Sequence, residues 1–128
     1  TTDMVERDVQ TINIDAPFTD LIALIRVGKR NLIAVVNAER HLEGVINMDD
    51  IRPLMFNKEL YESRNVQSVM TQPPATINMD DNMRNIIKKF DETATWTLPV
   101  IHDHRFVGFM PKSSLLNRYR QLLQEYSF

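Results

Sequence analysis

The sequence predicts an α+β fold built from two pseudo-symmetric β-α-β-β-α repeats that pack sheet to sheet in one module. The first observation is that residues 11–15, TINID, return 65 positions later as TINMD at residues 76–80. The second is that a short apolar run follows each copy, at residues 35–36 and 100–101, and leads through a polar turn to a strand centred on Gly44 or Gly108. Because repetition at a fixed spacing marks repeated structural units, the two copies indicate one motif used twice.

Hydrophobic spacing assigns the elements within each copy. Residues 11–14 and 76–79 alternate too briefly for more than short strands, and the apolar positions that follow return at helical spacing. Asp15 and Asp80 are the predicted N-caps of these helices. The predicted buried faces are Phe18, Leu21, Ile22 and Ile25 in the first copy, and Met83, Ile86, Ile87 and Phe90 in the second.

The polar turns at residues 37–41 and 102–105 lie between apolar strands and predict one antiparallel hairpin per copy. A closing helix follows each hairpin. Residues 56–64 lack Gly and Pro and are predicted to continue the first closing helix before a short link. The second closing helix has Ser113 or Ser114 as its predicted cap, and its apolar stripe consists of Leu115, Leu116, Tyr119, Leu122, Leu123 and Tyr126.

These elements divide the chain into repeat 1 with its linker, residues 1–64, and repeat 2 with the closing C-terminal helix, residues 65–128. A unit of this size buries little apolar surface and is marginally stable alone. Two similar halves that cover each other's sheets overcome that limit, so we expect one module.

Composition excludes several classes of function. The formal net charge is −2 and the 15 basic residues are scattered, which disfavours a nucleic-acid partner because phosphate contacts require clustered cations. The chain has no cysteine, so disulfides, thiol catalysis and cysteine-bound zinc are excluded. No apolar stretch approaches the ~20 residues that cross a bilayer, so we expect no direct membrane insertion.

No residue pattern predicts catalysis or a metal ion. Ser113 and Ser114 have no neighbouring base, and the carboxylate pairs at residues 49–50 and 80–81 lie at predicted helix starts, where acids complement the helix dipole. His102 and His104 project from one hairpin turn, but no third convergent ligand is identifiable, so a solvated turn is the favoured interpretation. We therefore expect a protein that is not an enzyme.

Short motifs in both copies resemble the tandem CBS domain pair, also called a Bateman module. In the second copy they are VQSVMT at residues 66–71, LPVI at 98–101 and VGF at 107–109. The first copy matches through residues 35–36, LEGVI at 42–46 and DI at 50–51, with Ala34 in place of Pro99. The resemblance covers nearly the whole chain and implies a non-enzymatic regulatory module.

A narrower resemblance is to the cytoplasmic C-terminal tail of bacterial CLC chloride channels and transporters. It rests on DIRPLMF at residues 50–56 and GFMPKSS at 108–114, followed by Tyr119-Arg120. It implies a transmembrane ion-transport domain in the same parent chain, a position on the cytoplasmic side of the cell membrane, and a homodimer. Leu116, Tyr119 and Leu123 of the closing helix are then the expected dimer-interface residues. A CBS pair from an unrelated transporter or enzyme is the alternative parent.

The CBS resemblance also implies an adenine nucleotide, ATP, ADP or AMP, in the cleft between the two repeats. The family pattern is Gly, then Thr or Ser three residues later, then Asp at the sixth position, where the carboxylate bonds the ribose hydroxyls. The first copy has Gly44, Asn47 and Asp50, whereas the second has lost both the hydroxyl residue and the Asp. Asn47 and Asp50 are therefore the expected ribose residues of a single site.

The same resemblance assigns Thr95, Trp96 and Thr97 to the adenine base. Arg26, Lys29, Arg30 and Lys112 are candidates for phosphate by their closeness to loop ends. Three alternatives stay open: Asp50 is a helix N-cap, Trp96 fills a core or a dimer contact, and the whole module is a ligand-free structural dimerisation domain.

Overall fold

The computed structural model describes residues 4–28 and 31–126, apart from the side chains of residues 60, 61, 122, 125 and 126. The elements follow one another as β1 (Thr11–Asn13), α1 (Phe18–Val27), β2 (Leu32–Val36), β3 (Leu42–Asn47), α2 (Met48–Ile51), α3 (Leu60–Ser63), α4 (Val66–Val69), β4 (Ile77–Asn78), α5 (Met83–Thr93), β5 (Thr97–His102), β6 (Arg105–Pro111) and α6 (Lys112–Tyr126). Each repeat contains the predicted order β-α-β-β-α, and the α+β class with two three-stranded sheets is confirmed.

The first sheet has the order β1-β2-β3. β1 runs parallel to β2 because α1 carries the chain back across the sheet, and β3 runs antiparallel to β2 because a short turn joins them. The predicted face of α1 is buried at all four positions and packs with the sheet in one apolar core. Val35 lies opposite Gly44, and a register shift directly after it places Val36 opposite Leu42.

The second sheet repeats this arrangement with the order β4-β5-β6, and β4 runs parallel to β5. Ile86 and Phe90 of α5 are buried in its core, whereas Ile87 is 37% exposed, so the prediction of a buried Ile87 is wrong. Successive residues on a helix lie about 100° apart, so Ile87 stands beside the buried stripe rather than in it.

Local polar contacts correct two predictions about helix starts. The N-caps of α1 and α5 are Pro17 and Asn82, not Asp15 and Asp80. Asp15 instead donates its backbone N–H to Asn13 Oδ1 at 2.9 Å, in a turn that ends before the helix. Asn82 Oδ1 accepts the Asn85 N–H at 2.9 Å and so satisfies a free donor of the first turn.

The link between the repeats is not the predicted continuation of the first closing helix. α2 ends at Ile51, a 3-10 turn occupies Arg52–Leu54, and α3 begins only at Leu60. Pro53 explains the break, because it has no backbone N–H to donate back to the last turn of α2 and its ring crowds the carbonyl that would have accepted the bond.

The described chain divides into two compact units that do not coincide with the two repeats. One consists of Val9–Pro73 and His104–Phe106, and the other of the described parts of Thr1–Asp8, Pro74–Asp103 and Val107–Phe128. The boundary that we place at residues 64/65 concerns the sequence repeats and stays a prediction. In the described ranges, no helix is both long and apolar enough to cross a bilayer.

In each unit, the sheet of one repeat pairs with the short segment, or arm, that precedes the other repeat in the chain. In one unit the N-terminal arm, residues 4–8, pairs with β6, where Glu6 N–H donates to Phe109 O at 2.7 Å and Phe109 N–H returns to Glu6 O at 3.0 Å. In the other the middle arm, residues 70–73, pairs with β3 through Val45 and Thr71, at 2.9 and 2.8 Å. The repeats therefore exchange arms.

Close approach of these arms explains the glycine in each second hairpin strand. A Cβ at Gly108 would overlap the carbonyl oxygen of Glu6, and a Cβ at Gly44 would lie 3.0 Å from Thr71 O and 2.9 Å from Met70 Sδ. Glycine is needed at both positions because a side chain would push the arm from the strand.

Candidate functional site

The turn from β3 into α2 places Asn47 and Asp50 in the same unit. Asn47 is the N-cap, and its Oδ1 accepts the Asp49 N–H at 3.0 Å. The Asp49 carboxylate in turn accepts from Arg52 at 2.7 Å. The alternative that Asp50 is the N-cap is wrong, because Asn47 already fills that role.

Asp50 lies in the first turn of α2 and is exposed. Within the described part of the chain its carboxylate makes no hydrogen bond and no ion pair, in contrast to its neighbour Asp49. The predicted ribose residue is therefore accessible and has its acceptor capacity free.

The equivalent position in repeat 2 has different chemistry. β6 ends at Pro111 and α6 begins at Lys112, so Ser114 lies in the first turn of α6. It lines a small depression of about 160 Å³ together with Met4, Asn117, Arg118 and Gln121. A hydroxyl at this point does not replace an acceptor-only carboxylate, so the predicted ribose residue concerns repeat 1 alone.

The three predicted base residues lie together in the other unit, between the end of α5 and the start of β5. Trp96 is 77% exposed, and its carbonyl accepts the Lys112 N–H at 2.7 Å. The Lys112 ammonium lies 5.3 Å from the centre of the indole ring, which is cation–π distance. Among the other phosphate candidates, Lys29 and Arg30 lie outside the described residues.

Thr95 belongs to a chain of hydroxyl contacts at the end of α5. Its Oγ1 lies 2.8 Å from Thr93 Oγ1, and the Thr93 hydroxyl donates to Lys89 O at 2.8 Å. Both threonines are half-buried. Thr93 was missed in the sequence, since a threonine near a helix end carries no signal of what its hydroxyl will contact; Ala94, which turns the chain at φ 52°, brings the two together.

The predicted dimer-interface residues are all exposed on α6, with Leu116 at 45%, Tyr119 at 54% and Leu123 at 53%. Of the predicted stripe only Leu115 is buried among the described side chains, and Leu122 and Tyr126 lie outside them. The exposed face borders an apolar groove of about 360 Å³ lined by Ile87, Phe90, Asp91, Lys112, Leu115, Leu116 and Tyr119.

Charged groups elsewhere are tied to the fold. Burial by itself would raise the pKa of Asp81, but the hydrogen bond from Lys89 at 2.6 Å, the Asn78 N–H and the charge of Lys89 together hold it below its ordinary value. His41 and His104 meet edge to face at 6.2 Å. Across the described ranges, no group of three or more His, Asp or Glu is arranged to hold a metal ion.

The chain matches the CBS domain family twice, over residues 2–57 and 66–120. It is also 29% identical over 98 residues to arabinose 5-phosphate isomerase KpsF of Escherichia coli, a match that covers 77% of this chain and 30% of the isomerase. The chain thus spans less than a third of the length of the curated relative that it matches.

Two solved structures show the same fold. CBSX2 in complex with AMP is 19% identical, with 94% of this chain and 95% of that chain covered and a TM-score of 0.73. The CBS domain of the bacterial CNNM/CorC family Mg²⁺ transporter in complex with ATP is 16% identical, with 90% and 82% covered and a TM-score of 0.74. With two family matches that together span most of its length, this chain belongs to the CBS domain family, as a tandem pair that forms a regulatory module.

Proposed function

We propose that this CBS pair is a regulatory module that senses an adenine nucleotide, with Asp50 as its ribose ligand. The observation that carries the proposal is the exposed Asp50 carboxylate, which makes no hydrogen bond or ion pair in the described ranges and follows Gly44 at the spacing of the family pattern. A carboxylate in this state accepts strong hydrogen bonds from both ribose hydroxyls. The complexes of CBSX2 with AMP and of the CorC-type CBS domain with ATP support the ligand class.

Trp96 and Lys112 supply a second feature suited to a nucleotide. An exposed indole offers a surface on which a base stacks for roughly 1–3 kcal/mol. The Lys112 ammonium beside it makes no ion pair within the described ranges, so its charge is available for a phosphate. Asp91 lines the groove that Lys112 borders and limits how much negative charge this face attracts.

A thermal melt with and without millimolar ATP, ADP and AMP tests the proposal. A ligand that binds only the native state raises the free energy of unfolding by mass action, by about 2.7 kcal/mol at a hundredfold excess over Kd. The melting temperature rises as a result. The nucleotide that raises it in the wild type should lose most of its effect in Asp50→Ala. Asp49→Ala is the matched control, because it removes a neighbouring carboxylate that is already paired with Arg52. No shift and no calorimetric binding with any of the three nucleotides would contradict the proposal.

A second candidate function is homodimerisation, and the exposed apolar face of α6 favours it. Leu116 and Tyr119 line the apolar groove together with Ile87, and Leu123 is exposed on the same helix. Charged residues are depleted at the cores of interfaces, so an apolar face of this kind suits one. We expect sedimentation of the chain at tens of micromolar, a concentration near the dissociation constant of a weak dimer, to show a dimer. Leu123→Glu should convert it to a monomer, whereas Gln121→Glu, at an exposed polar position of the same helix, should not. A monomeric wild-type chain would contradict this function.

For the parent protein, we propose a CLC-type chloride channel or transporter, with the module on the cytoplasmic side of the membrane. The support is the pair of motifs at residues 50–56 and 108–114. The coding sequence upstream of Thr1 tests it: about ten apolar stretches, each of ~20 residues, are expected for such a transport domain. A sugar isomerase domain there would contradict it and place the module with the KpsF relatives instead.

A further inference from the structure

Two hairpin turns bring a pair of histidines together inside one of the two units, the one that contains His104–Phe106. His41 ends the turn between β2 and β3, and His104 lies in the turn between β5 and β6. Their ring centres are 6.2 Å apart, and the ring planes are inclined at 65°. His41 is 38% exposed and His104 is exposed, so both rings are accessible. In the sequence the obvious partner of His104 is His102, whereas in the fold it is His41 from the other repeat.

Hydrogen bonds fix the backbone that carries both histidines. The Asn37 side chain accepts the His41 N–H at 3.0 Å, and the Asn37 N–H donates to His41 O at 3.1 Å. The next residue, Leu42, donates its N–H to His104 O at 3.3 Å and so joins the two turns. Because the backbone positions are already set, two ligands held in this way lose less conformational freedom when they close on an ion.

The free nitrogen atoms of this pair suit a transition-metal ion. The Glu39 carboxylate lies 3.6 Å from His41 Nδ1, so its negative charge favours a proton on that nitrogen and leaves the Nε2 lone pair for an ion. Within the described residues the His104 side chain makes no hydrogen bond and no ion pair, so its nitrogens are free. Imidazole nitrogens bind Zn²⁺, Ni²⁺ and Cu²⁺, whereas Mg²⁺ and Ca²⁺ prefer oxygen ligands.

The spacing of the rings is close to that of two ligands on one ion. Zinc holds an imidazole nitrogen at about 2.0–2.1 Å, and that nitrogen lies about 1 Å from the ring centre, so two rings on one ion have centres roughly 5–6 Å apart. The exposed rings of His41 and His104 therefore need to approach by about 1 Å at most. Arg40 and Arg105 adjoin them in the chain, so the affinity comes from coordination and not from negative charge.

We propose that His41 and His104 form a binding site for a divalent transition-metal ion of the zinc and nickel class, with water in the remaining coordination positions. The site goes beyond the proposed nucleotide function and does not depend on it. Among the described residues no larger set of ligands converges, so two protein ligands define an open site. An ion bound to both rings links the first hairpin turn to His104–Phe106 of the second repeat.

Calorimetric titration of the chain, without a histidine tag, with nickel chloride and with zinc chloride tests the proposal. The wild type should bind one ion per chain, and magnesium chloride should give no binding heat. His41→Ala and His104→Ala should each weaken the binding at least about 10-fold, since even the loss of an outer-shell partner has an effect of that size. His102→Ala is the matched control, because it removes an exposed histidine near His104 in the same turn, and it should bind as the wild type does.

Thermal unfolding provides a second measurement. Saturating nickel should raise the melting temperature of the wild type and of His102→Ala, but not that of His41→Ala or His104→Ala. Melts without metal check that the variants fold, and His41→Gln and His104→Gln replace any alanine variant that does not. A wild-type chain that binds neither nickel nor zinc would overturn the proposal, and so would binding that survives unchanged without His41 or without His104. No nucleotide is present in these titrations, so either result leaves the proposed nucleotide function to its own test.

Discussion

Among single residues, Asp81 shows how a fold fixes the charge of one of its own groups. Its carboxylate is mostly covered, bonds the Asn78 N–H at 3.0 Å and pairs with Lys89, so that its pKa lies below the ordinary value although burial alone would raise it. A carboxyl whose pKa is lower in the folded state stabilises that state above its unfolded pKa, about 3.9, and loses this contribution as pH falls through the folded value.

We expect Asp81→Asn to lower the free energy of unfolding at pH 7, and the difference from the wild type to shrink as the pH falls below about 4. Urea titrations between pH 7 and pH 3 measure both effects. Asp80→Asn, which changes the same charge at an exposed neighbour, should leave the stability near that of the wild type at every pH. A pH-independent loss in Asp81→Asn would show that packing, not charge, is responsible.

How far single residues could be predicted depends on whether their partners are local in sequence. Asp50 was singled out through the resemblance to the family pattern, and its ligand role stays a prediction; Gly44 and Asp50 lie in one strand–turn–helix segment, so the pattern could be located in the sequence. The capping role of Asn47 depends on whether the first helical turn starts at Met48 or later, which composition does not decide. The contact of Lys112 with Trp96 joins residues from two elements, and no local pattern encodes it.

Helix ends carry information of their own, and the end of α5 is the clearest example. Ala94 is left-handed, with φ 52° and ψ 35°, and its N–H donates to Phe90 O at 3.0 Å. A left-handed conformation costs an L-residue with a Cβ roughly 1–2 kcal/mol, which glycine avoids.

We expect Ala94→Gly to raise the free energy of unfolding by about 1 kcal/mol, after the larger backbone entropy of unfolded glycine is subtracted. Thermal unfolding measures this as a higher melting temperature. Ala38→Gly makes the same chemical change in a turn at which the φ angle is not positive, and should lower the melting temperature. A lower melting temperature in Ala94→Gly would contradict the strain argument.

At the level of helices, hydrophobic periodicity predicted correctly that a helix exists, but it predicted less well which of its residues are buried. The face of α1 was predicted at all four positions, because a sheet covers it completely. The stripe of α6 is correct as a helical pattern, yet Leu115 is buried while Leu116, Tyr119 and Leu123 are exposed. A sequence shows that apolar residues share a side of a helix, but how much of that side is covered depends on elements far away in the chain.

For the whole molecule, the exchanged arms make glycine a structural requirement. A methyl group at Gly108 overlaps the backbone oxygen of Glu6, which cannot move without breaking two hydrogen bonds, whereas at Gly44 the flexible Met70 sulfur lies at 2.9 Å and the Thr71 carbonyl oxygen at 3.0 Å, so a smaller shift is needed. Gly44 and Gly108 therefore occupy equivalent positions in the two repeats, but the atoms around Gly44 can move aside for a methyl group more easily than those around Gly108.

We expect Gly108→Ala to destabilise the chain by about 2–3 kcal/mol and Gly44→Ala by about 1 kcal/mol, within the range for inserting a methyl group into a packed site. Urea unfolding of both variants gives the comparison. Equal costs would show that the arm at residues 4–8 moves aside as readily as a methionine side chain.

The repeat was predictable from identity between distant segments, and the exchange was not. Residues 11–15 and 76–80 reveal a duplicated motif, but the arm residues 4–8 and 70–73 carry no alternation long enough to indicate a strand partner. Their pairing is decided by which sheet edge is free, a property of the assembled units.

The exchange of arms also bears on how such a chain could have arisen. A single repeat on its own has a sheet edge that lacks an arm and an arm that lacks a sheet. Two separate copies meet both needs by trading arms, but only at concentrations high enough for them to associate. Joining the copies head to tail makes the trade intramolecular and independent of concentration. In the chain as it stands, the pairing of each arm with the opposite repeat is therefore a step of folding and does not require two molecules to associate.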